Sequence, residues 1–317
     1  MNEYYEEKIE GRKNTILDIL EKRGTLNPDK IAYTFLSYHN GVCSEENIIN
    51  RELLEKSKRL AAYLQRKNMQ GERALLLYPD GLDFIVAFYG CLFAKVIAVP
   101  VYHFVSARKA SRLQGIIKDS RAKIVLADMA HINRLENFAN TYQLNDTIEW
   151  CATDELLKEC SDIYKETKVL QEELAYLQYT SGSTSQPKGV MITHKNIMHN
   201  MDLIQWYLGN HKNSVGVSWI PHYHDMGLIY AIIQPVYIGY RQVLMEPSKF
   251  VGKPYRFLKA ITDYKGTTFT MPNFAFDLCC DSIKDEEKAD LDLSSLENAG
   301  NGAEPVHAET MHRFIHE

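Results

Sequence analysis

The richest concentration of side chains that could bind a ligand lies in residues 177–190, which read LQYTSGSTSQPKGV. The segment combines hydroxyls, glycines and one lysine: Thr180, Ser181, Ser183, Thr184, Gly182, Gly189 and Lys188. Glycine lets backbone N–H groups approach a bound anion, hydroxyls donate hydrogen bonds, and lysine offsets negative charge. This composition predicts a phosphate-binding loop.

The predicted loop differs from the Walker A phosphate loop. The Walker pattern ends in Gly-Lys-Ser or Gly-Lys-Thr, whereas here Lys188 follows Pro187 and precedes Gly189. No helix start follows directly, so a helix dipole is not expected to contribute. A flexible Ser/Gly-rich linker between domains is the alternative interpretation. Apolar runs at 174–179 and 190–192 flank the segment, however, and they favour a loop between two strands.

A second polar segment, residues 218–228, reads SWIPHYHDMGL and lies between a predicted strand and a predicted helix. His222, His224 and Asp225 are all metal-ligand types, which makes a metal site one interpretation. The sequence places no further His or Cys cluster nearby, so the segment is better explained as an active-site wall beside a nucleotide. Histidine suits this position because either neutral tautomer can donate a hydrogen bond to an oxyanion.

Two later segments could also contact a ligand. Residues 270–280, TMPNFAFDLCC, fit the lining of a site for a long apolar ligand, and equally a strand end and helix that only supply core. Residues 298–306, NAGNGAEPV, have small side chains that allow close backbone approach to a flat ring, and Pro305 can begin a helix. An ordinary strand–turn–helix junction is the alternative for this last segment.

These motifs resemble those of adenylate-forming enzymes, the superfamily of acyl-CoA synthetases, luciferases and nonribosomal-peptide adenylation domains. The family's phosphate loop reads Tyr/Phe-Thr-Ser-Gly-Ser/Thr-Thr-Gly-x-Pro-Lys-Gly, and this chain departs from it where Ser185 replaces glycine. That departure is typical of one branch, the fatty acyl-AMP ligases, whose Pro-x-Tyr-His-Asp-Met-Gly-Leu segment is similar to residues 221–228. Residues 71–100 resemble the same ligases, so the resemblance spans roughly residues 31–316.

The resemblance implies a role for each matching residue. His224 would be the catalytic residue, near the adenylate phosphate and the acyl carboxylate. The phosphate loop, and the turn that packs on adenine in the family, would bind ATP: Thr180, Ser181, Gly182, Ser183, Thr184, Lys188, Asn301, Gly302, Ala303, Glu304 and Pro305. The acyl substrate would contact Asp225, Met226, Gly227, Met271, Asn273, Phe274 and Phe276. No residue is assigned as a metal ligand, and Mg²⁺ would bridge the ATP phosphates.

By the same resemblance, a fatty-acid carboxylate would attack the α-phosphorus of ATP, giving an acyl adenylate and pyrophosphate. The acyl group would then pass to the phosphopantetheine thiol of an acyl carrier protein, as in polyketide or nonribosomal peptide synthases. The family's ribose- and Mg²⁺-binding segments and its C-terminal lysine domain would follow Glu317, so we expect this N-terminal domain fragment to adenylate poorly alone. A long-chain fatty acid–CoA ligase and a non-catalytic fragment that binds nucleotide or acyl adenylate remain alternatives.

The bulk composition fits a globular enzyme. The chain has 36 basic and 41 acidic residues, and a net charge of −5 gives no case for nucleic acid or an acidic membrane surface. The first residues lack an apolar secretory signal, and the six cysteines lack C-x-x-C spacing, which indicates reduced thiols in the cytoplasm. Residues 84–101 mimic a membrane span, but Gly90, Lys95 and Pro100 interrupt them and favour a buried helix followed by a buried strand.

Alternating helices and strands must position these loops. Apolar periodicity predicts helices over residues 52–66, 82–94, 107–119, 196–207, 227–237, 254–264, 273–280 and 305–317. Strands are predicted over 74–78, 96–101, 123–127, 174–179, 190–192, 215–219, 242–245, 267–271 and 296–298. Pro235 is expected to kink or end its helix. The pattern predicts an α/β fold of two stacked subdomains with mostly parallel sheets, over 1–170 and 171–317, with the phosphate loop in the second.

Overall fold

The computed structural model describes residues 14–102, 107–133, 148–160, 162–179 and 187–317. The chain forms two compact units, each containing one six-stranded sheet and helices. The first unit comprises Met1–Pro28 and Asn50–Asp202, and the second comprises Asp29–Ile49 and Leu203–Glu317. The predicted α/β class with mostly parallel sheets is confirmed.

The secondary structure elements are numbered in chain order. The α-helices are α1 (Ile16–Leu26), α2 (Asn50–Arg66), α3 (Leu82–Phe93), α4 (Ala107–Ser120), α5 (Thr153–Glu159), α6 (His194–Leu208), α7 (Gln234–Ile238), α8 (Pro247–Gly252), α9 (Tyr255–Tyr264), α10 (Asn273–Ser282), α11 (Asp285–Lys288) and α12 (Ala308–His316). The strands are β1 (Ile31–His39), β2 (Val42–Ile49), β3 (Arg73–Leu76), β4 (Ile97–Pro100), β5 (Ile124–Ala127), β6 (Glu149–Ala152), β7 (Leu174–Tyr179), β8 (Gly189–Thr193), β9 (Val215–Ser218), β10 (Arg241–Met245), β11 (Thr268–Met271) and β12 (Asn298–Asn301). A π-helix, Gly227–Ile233, precedes α7.

The sheet of the first unit has the strand order β6-β5-β3-β4-β7-β8. The pair β7–β8 is antiparallel, and the other pairs are parallel. Short, fully apolar strands such as β5 are typical of parallel sheets that are covered on both faces. Helix α3 is buried at all but one position, and it is followed by β4, as predicted for residues 84–101. Within the described residues, no helix has the length and apolar character needed to cross a bilayer.

The sheet of the second unit has the strand order β12-β11-β9-β10-β1-β2, and β2 is its one antiparallel strand among the described pairs. An aromatic-rich core packs against this sheet, with Phe257 edge-on to Phe269 and Phe276 edge-on to Phe314. Edge-to-face ring pairs of this kind add attraction beyond the buried apolar area. The core therefore fixes β11, α10 and α12 in one compact unit.

The β1–β2 hairpin was not predicted from the sequence. Strand β2 is exposed over most of its length and shows no alternation of polar and apolar residues. The available signal was Asn40-Gly41, whose backbone φ angles of 50° and 82° are both positive, as a two-residue hairpin turn requires. Because β1 pairs with β10, the hairpin belongs to the second unit although it precedes most of the first in sequence.

Three predicted boundaries differ from the structure. The division at residue 170 is wrong, because β7 and β8 complete the first sheet and the first unit continues to Asp202; the phosphate-loop segment therefore connects strands of the first unit. Strand β12 begins at Asn298, because Leu296 forms a turn with its N–H bonded to Leu293 O. The last helix begins at Ala308, three residues after Pro305.

The helix after residue 226 also differs from its prediction. Its first part is a π-helix, and it continues past Pro235 to Ile238 rather than ending at the proline. Pro235 lies in the first turn of α7, where a missing N–H donor is tolerated. A π-helix is uncommon and is often found at functional sites.

Candidate active site

Most of the predicted phosphate loop lies outside the described residues, namely Thr180, Ser181, Gly182, Ser183 and Thr184. Lys188 is described, is exposed, and directly precedes β8. Tyr179 at the end of β7 lies opposite Gly189 in the antiparallel β7–β8 pair. The segment therefore connects two neighbouring strands of one sheet, which excludes the interpretation as an interdomain linker.

The other predicted site residues lie in the second unit, and most of them lie at one edge of its sheet. Strands β9, β11 and β12 are parallel neighbours, so their carboxyl ends meet at the same edge, where ligands bind in open α/β sheets. The segment after β9 carries His224, Asp225, Met226 and Gly227. Asn273 and Phe274 follow β11, and residues 302–305 follow β12. The tertiary fold thus brings together three segments that are far apart in sequence.

His224 and Asp225 form an ion pair at this edge. The Nδ1–H of His224 donates to Asp225 Oδ1 over 2.8 Å, and the Met226 backbone N–H donates to the same oxygen over 2.7 Å. A ring nitrogen that donates to Asp225 cannot also accept from Met226, so the 3.2 Å contact between Met226 N and His224 Nδ1 is not a hydrogen bond of this tautomer. This arrangement leaves Nε2 as the nitrogen of His224 that can face a ligand.

The ion pair shifts both pKa values. The hydrogen bond to Asp225 raises the pKa of His224, and the hydrogen bond from His224 lowers the pKa of Asp225. The contribution of His224 to stability is present below its unfolded pKa and is lost as the pH rises through its folded pKa. The contribution of Asp225 is lost as the pH falls through its own lowered pKa. Both side chains are about half exposed, at 51% and 54%, so solvent screens the pair and its main effect is to orient the imidazole ring.

Gly227 is fixed by backbone packing. A Cβ atom on this residue would lie 2.2 Å from the carbonyl oxygen of Pro221, a distance that no side-chain movement can relieve. The same carbonyl accepts the N–H of His224 over 3.0 Å. Gly227 thus keeps the His224 turn closed against the start of the π-helix. Next to it, the terminal methyl of Met226 lies 3.5 Å from the Cβ position of Gly302, which brings the β9 and β12 segments into contact.

Asn273 joins the segments after β11 and β12 through its side-chain amide. Its Oδ1 accepts hydrogen bonds from Asn301 Nδ2 and from the His307 backbone N–H, both over 3.0 Å. Its Nδ2 donates to Thr310 Oγ1 over 3.0 Å and to Asp277 Oδ2 over 3.3 Å. Only 3% of Asn273 is exposed. The amide is therefore committed to holding the turn after β12 against α10 and α12, and the structure gives it a positioning role rather than the predicted substrate contact.

The turn after β12 is also held at Glu304. The Glu304 carboxylate accepts the backbone N–H of Phe274 over 2.6 Å, in the first turn of α10, where a negative charge is favoured. Ala303 has a backbone φ of 70°, in the left-handed region that costs free energy for a residue other than glycine. Ala303, Glu304 and Pro305 are all exposed at the edge of the sheet. The turn therefore presents its backbone outward in a conformation that its surroundings impose.

Asn301 carries an acceptor without a partner among the described residues. Its Nδ2 donates to Asn273, but its Oδ1 is buried and has no hydrogen-bond partner there. A buried carbonyl oxygen in this state costs about 1–3 kcal/mol unless a ligand or water donates to it. The atom is therefore suited to receive an N–H group at the edge of the sheet.

Two predicted substrate residues belong to the core instead. Met271 and Phe276 are fully buried and pack within the aromatic-rich core of the second unit. This burial explains both residues without a ligand, so the alternative interpretation of a core-forming helix holds for them. Phe274 differs, because 47% of it is exposed at the edge beside the turn.

Trp219 was not predicted as part of the site. Its ring stacks on Phe250 with centroids 4.1 Å apart and meets Phe274 edge-on at 6.1 Å. The indole Nε1–H is buried and has no acceptor among the described residues. A tryptophan directly after a strand and before His222 was the available signal.

Across the part of the chain that the structure describes, no three His, Cys, Asp or Glu side chains form a metal-binding group.

Comparison with known proteins identifies related chains. The family model described as AMP-binding enzyme matches residues 20–317. The chain is 39% identical over 308 residues to the medium-chain-fatty-acid acyl-carrier-protein ligase JamA of Moorena producens, covering 95% of this chain and 51% of that protein. It is 33% identical over 325 residues to the ligase TtuA of Teredinibacter turnerae, of the same description, covering 90% and 50%.

A solved structure gives the same result. A fatty acyl-adenylate ligase from L. pneumophila, crystallised with acyl adenylate and pyrophosphate, superimposes with a TM-score of 0.87 at 36% identity. The match covers 99% of this chain and 53% of that one. The chain therefore spans about half the length of the relatives that it matches.

Proposed function

The chain belongs to the AMP-binding enzyme family, and on that premise we propose that the protein activates a fatty acid with ATP as an acyl adenylate. The resemblance to fatty acyl-AMP ligases that the sequence motifs indicated is confirmed by the relatives. In the proposed reaction, a carboxylate oxygen of the acid bonds to the α-phosphorus of ATP. The bond between the α-phosphorus and the bridging oxygen breaks, and the electron pair leaves with pyrophosphate.

The protein contributes positioning and charge rather than covalent chemistry. In its protonated form, which Asp225 favours, His224 would donate from Nε2 to an oxygen of the α-phosphate or of the attacking carboxylate, while Asp225 holds the ring. Lys188 would offset the charge of the β- and γ-phosphates. MgATP is the substrate form, since Mg²⁺ keeps several waters and binds mainly through the phosphates.

One observation supports this proposal most directly: the His224–Asp225 pair and the turn at 301–305 lie at the same carboxyl edge of the sheet. An imidazole donor and an exposed turn of small residues suit an adenylate. The unpartnered Oδ1 of Asn301 suits the exocyclic amine of adenine, and the exposed backbone of Ala303 suits its ring. Phe274, exposed next to this turn, would contact the acyl part.

We further propose that a medium-chain fatty acid is the substrate and that an acyl carrier protein receives the acyl group. JamA and TtuA carry those terms in their names. The carrier would belong to a polyketide or nonribosomal peptide synthase, and the reaction would occur in the cytoplasm.

Pyrophosphate exchange into ATP tests the first step. We expect exchange that depends on the added fatty acid but is weak in this chain alone, and a further loss of about 100-fold for His224→Ala, in line with the removal of one oxyanion donor. His312→Ala is a matched control, because it removes an exposed histidine of α12 and should leave exchange unchanged. Equal exchange in both variants would contradict the role of His224. Offering CoA and holo carrier protein side by side then separates the carrier-protein acceptor from a CoA ligase.

A further inference from the structure

The two chain neighbours of Lys188 are both held by close packing within the first unit. Pro187 lies against helix α4, and Gly189 lies under the ring of Tyr179. Lys188 itself is exposed, so its backbone is fixed while its side chain extends into solvent. The position of the cation is therefore set by contacts that Lys188 does not make itself.

The contact at Pro187 requires a glycine in α4. A Cβ atom on Gly115 would lie 2.9 Å from both Cδ and Cγ of Pro187. Carbon atoms in good contact are about 3.5–4.0 Å apart, so any side chain at 115 would displace Pro187 by roughly 0.6–1 Å. Glycine in the middle of a helix costs about 1 kcal/mol relative to alanine, and here that cost permits the close approach.

The contact at Gly189 depends on Tyr179. A Cβ atom on Gly189 would lie 2.9 Å from Cζ of the Tyr179 ring. The Tyr179 hydroxyl donates to Asp119 Oδ2 over 2.5 Å, and burial together with this carboxylate raises the pKa of Tyr179. Tyr179 is 8% exposed and packs in the core of the unit, so its ring has little freedom to move.

Gly115 and Asp119 are four residues apart on α4 and therefore lie on the same helix face. This helix face contacts Pro187 directly through Gly115, and it holds the Tyr179 ring over Gly189 through Asp119. It therefore fixes both chain neighbours of Lys188. We propose that Gly115, Asp119 and Tyr179 are positioning residues that place Lys188 for binding the triphosphate of ATP. This inference rests on the proposed function, because it requires that Lys188 binds phosphate.

Gly115→Ala separates positioning from stability. Alanine favours the helix more than glycine does, so the variant should unfold at a temperature close to that of the unmodified protein. Displacement of Pro187 should nevertheless weaken MgATP binding by about tenfold, since misplacements of about 1 Å have large effects at such sites. Gly252→Ala is the matched control, because a Cβ atom there meets no atom within 4 Å. The two Kd values, measured by isothermal titration calorimetry, should differ only for Gly115→Ala.

The hydroxyl–carboxylate contact gives a second test that does not depend on Gly115. Tyr179→Phe keeps the ring over Gly189 and removes the hydrogen bond, and we expect MgATP affinity to fall about fivefold. Asp119→Ala should match it, while Asp119→Asn retains an acceptor oxygen and should recover most of the affinity. A purely structural role would lower the unfolding temperature in these variants and leave the MgATP Kd unchanged.

The outcomes distinguish this inference from the proposed function. If the unmodified protein does not bind MgATP, or if Lys188→Ala binds it equally well, the phosphate-binding role fails and this inference fails with it. If Lys188→Ala loses affinity while Gly115→Ala and Tyr179→Phe bind like Gly252→Ala, only the positioning role is overturned. Should Gly115→Ala fail to fold, Tyr179→Phe and the two Asp119 variants decide the question.

Discussion

Replacing Asn273 with alanine removes the amide that connects the turn after β12 to α10 and α12. Three hydrogen bonds of 3.0 Å are lost, to Asn301 Nδ2, the His307 N–H and Thr310 Oγ1. Each such bond contributes about 1 kcal/mol net, so we expect the free energy of unfolding to fall by about 3 kcal/mol. The loss per hydrogen bond should be smaller for partners that can turn to water. It should be larger for Thr310, which is buried.

A matched substitution exists on strand β12. Asn298, at the amino end of β12, donates from Nδ2 to Leu208 O over 2.8 Å and to Asn210 Oδ1 over 3.4 Å. Asn298→Ala should therefore lower the free energy of unfolding by about 1 kcal/mol. It leaves the turn at 301–307 in place, because its contacts lie at the opposite end of the strand.

Urea denaturation and MgATP calorimetry on both variants complete the test. We expect Asn273→Ala to reduce stability and also to weaken nucleotide binding by about tenfold, because the turn at 301–305 is released. Asn298→Ala should reduce stability alone. If Asn273→Ala loses stability but retains the MgATP Kd of the unmodified protein, the connection between this amide and the nucleotide surface is wrong.

Three further outcomes are expected from the site. Gly227→Ala should lower the free energy of unfolding by about 2 kcal/mol, because the alanine Cβ would overlap a backbone carbonyl and this outweighs the better helix propensity of alanine. An unchanged free energy of unfolding in urea would contradict this packing. Asp225→Asn should lower the pKa of His224 by removing the carboxylate that raises it, and an NMR titration of the imidazole protons that shows no decrease would exclude the ion pair. Phe276→Ala, in the core, should cost about 3–5 kcal/mol of stability, and Phe274→Ala, at the surface, less than about 1 kcal/mol. Denaturation curves that reverse this order would refute the assignment of these two residues to core and surface.

Several elements followed directly from residue patterns. The continuous apolar run of α3 and the apolar strand β7 were predicted to within one residue, because burial on all sides leaves a signal that tertiary contacts do not override. Residue types at fixed spacing likewise led to the predictions of the phosphate-binding motif and of the glycine-rich turn at 301–305. Glycine and proline constrain the backbone locally, so their meaning can be read from the chain itself.

Other features had no local cause. The π-helix after Met226 begins at Gly227, whose close packing against Pro221 leaves no periodic signal in the sequence. In the β1–β2 hairpin, β2 is polar and exposed. The hairpin joins the sheet because β1 pairs with β10, more than 190 residues later in the chain. The predicted division at residue 170 failed for the same reason, since β7 and β8 complete a sheet begun by β3.

The sequence by itself determined the class of fold, many of the helices and strands, and the residue types that can bind phosphate and adenine, because these depend on spacing along one chain. Only the tertiary structure decided which of those residues are exposed and which are buried. It placed Met271 and Phe276 in the core, gave the Asn273 amide to neighbouring segments, and left His224 and the turn at 301–305 exposed at one edge. Exposure and hydrogen-bond partners depend on residues that are distant in sequence, and only the folded chain brings those residues together.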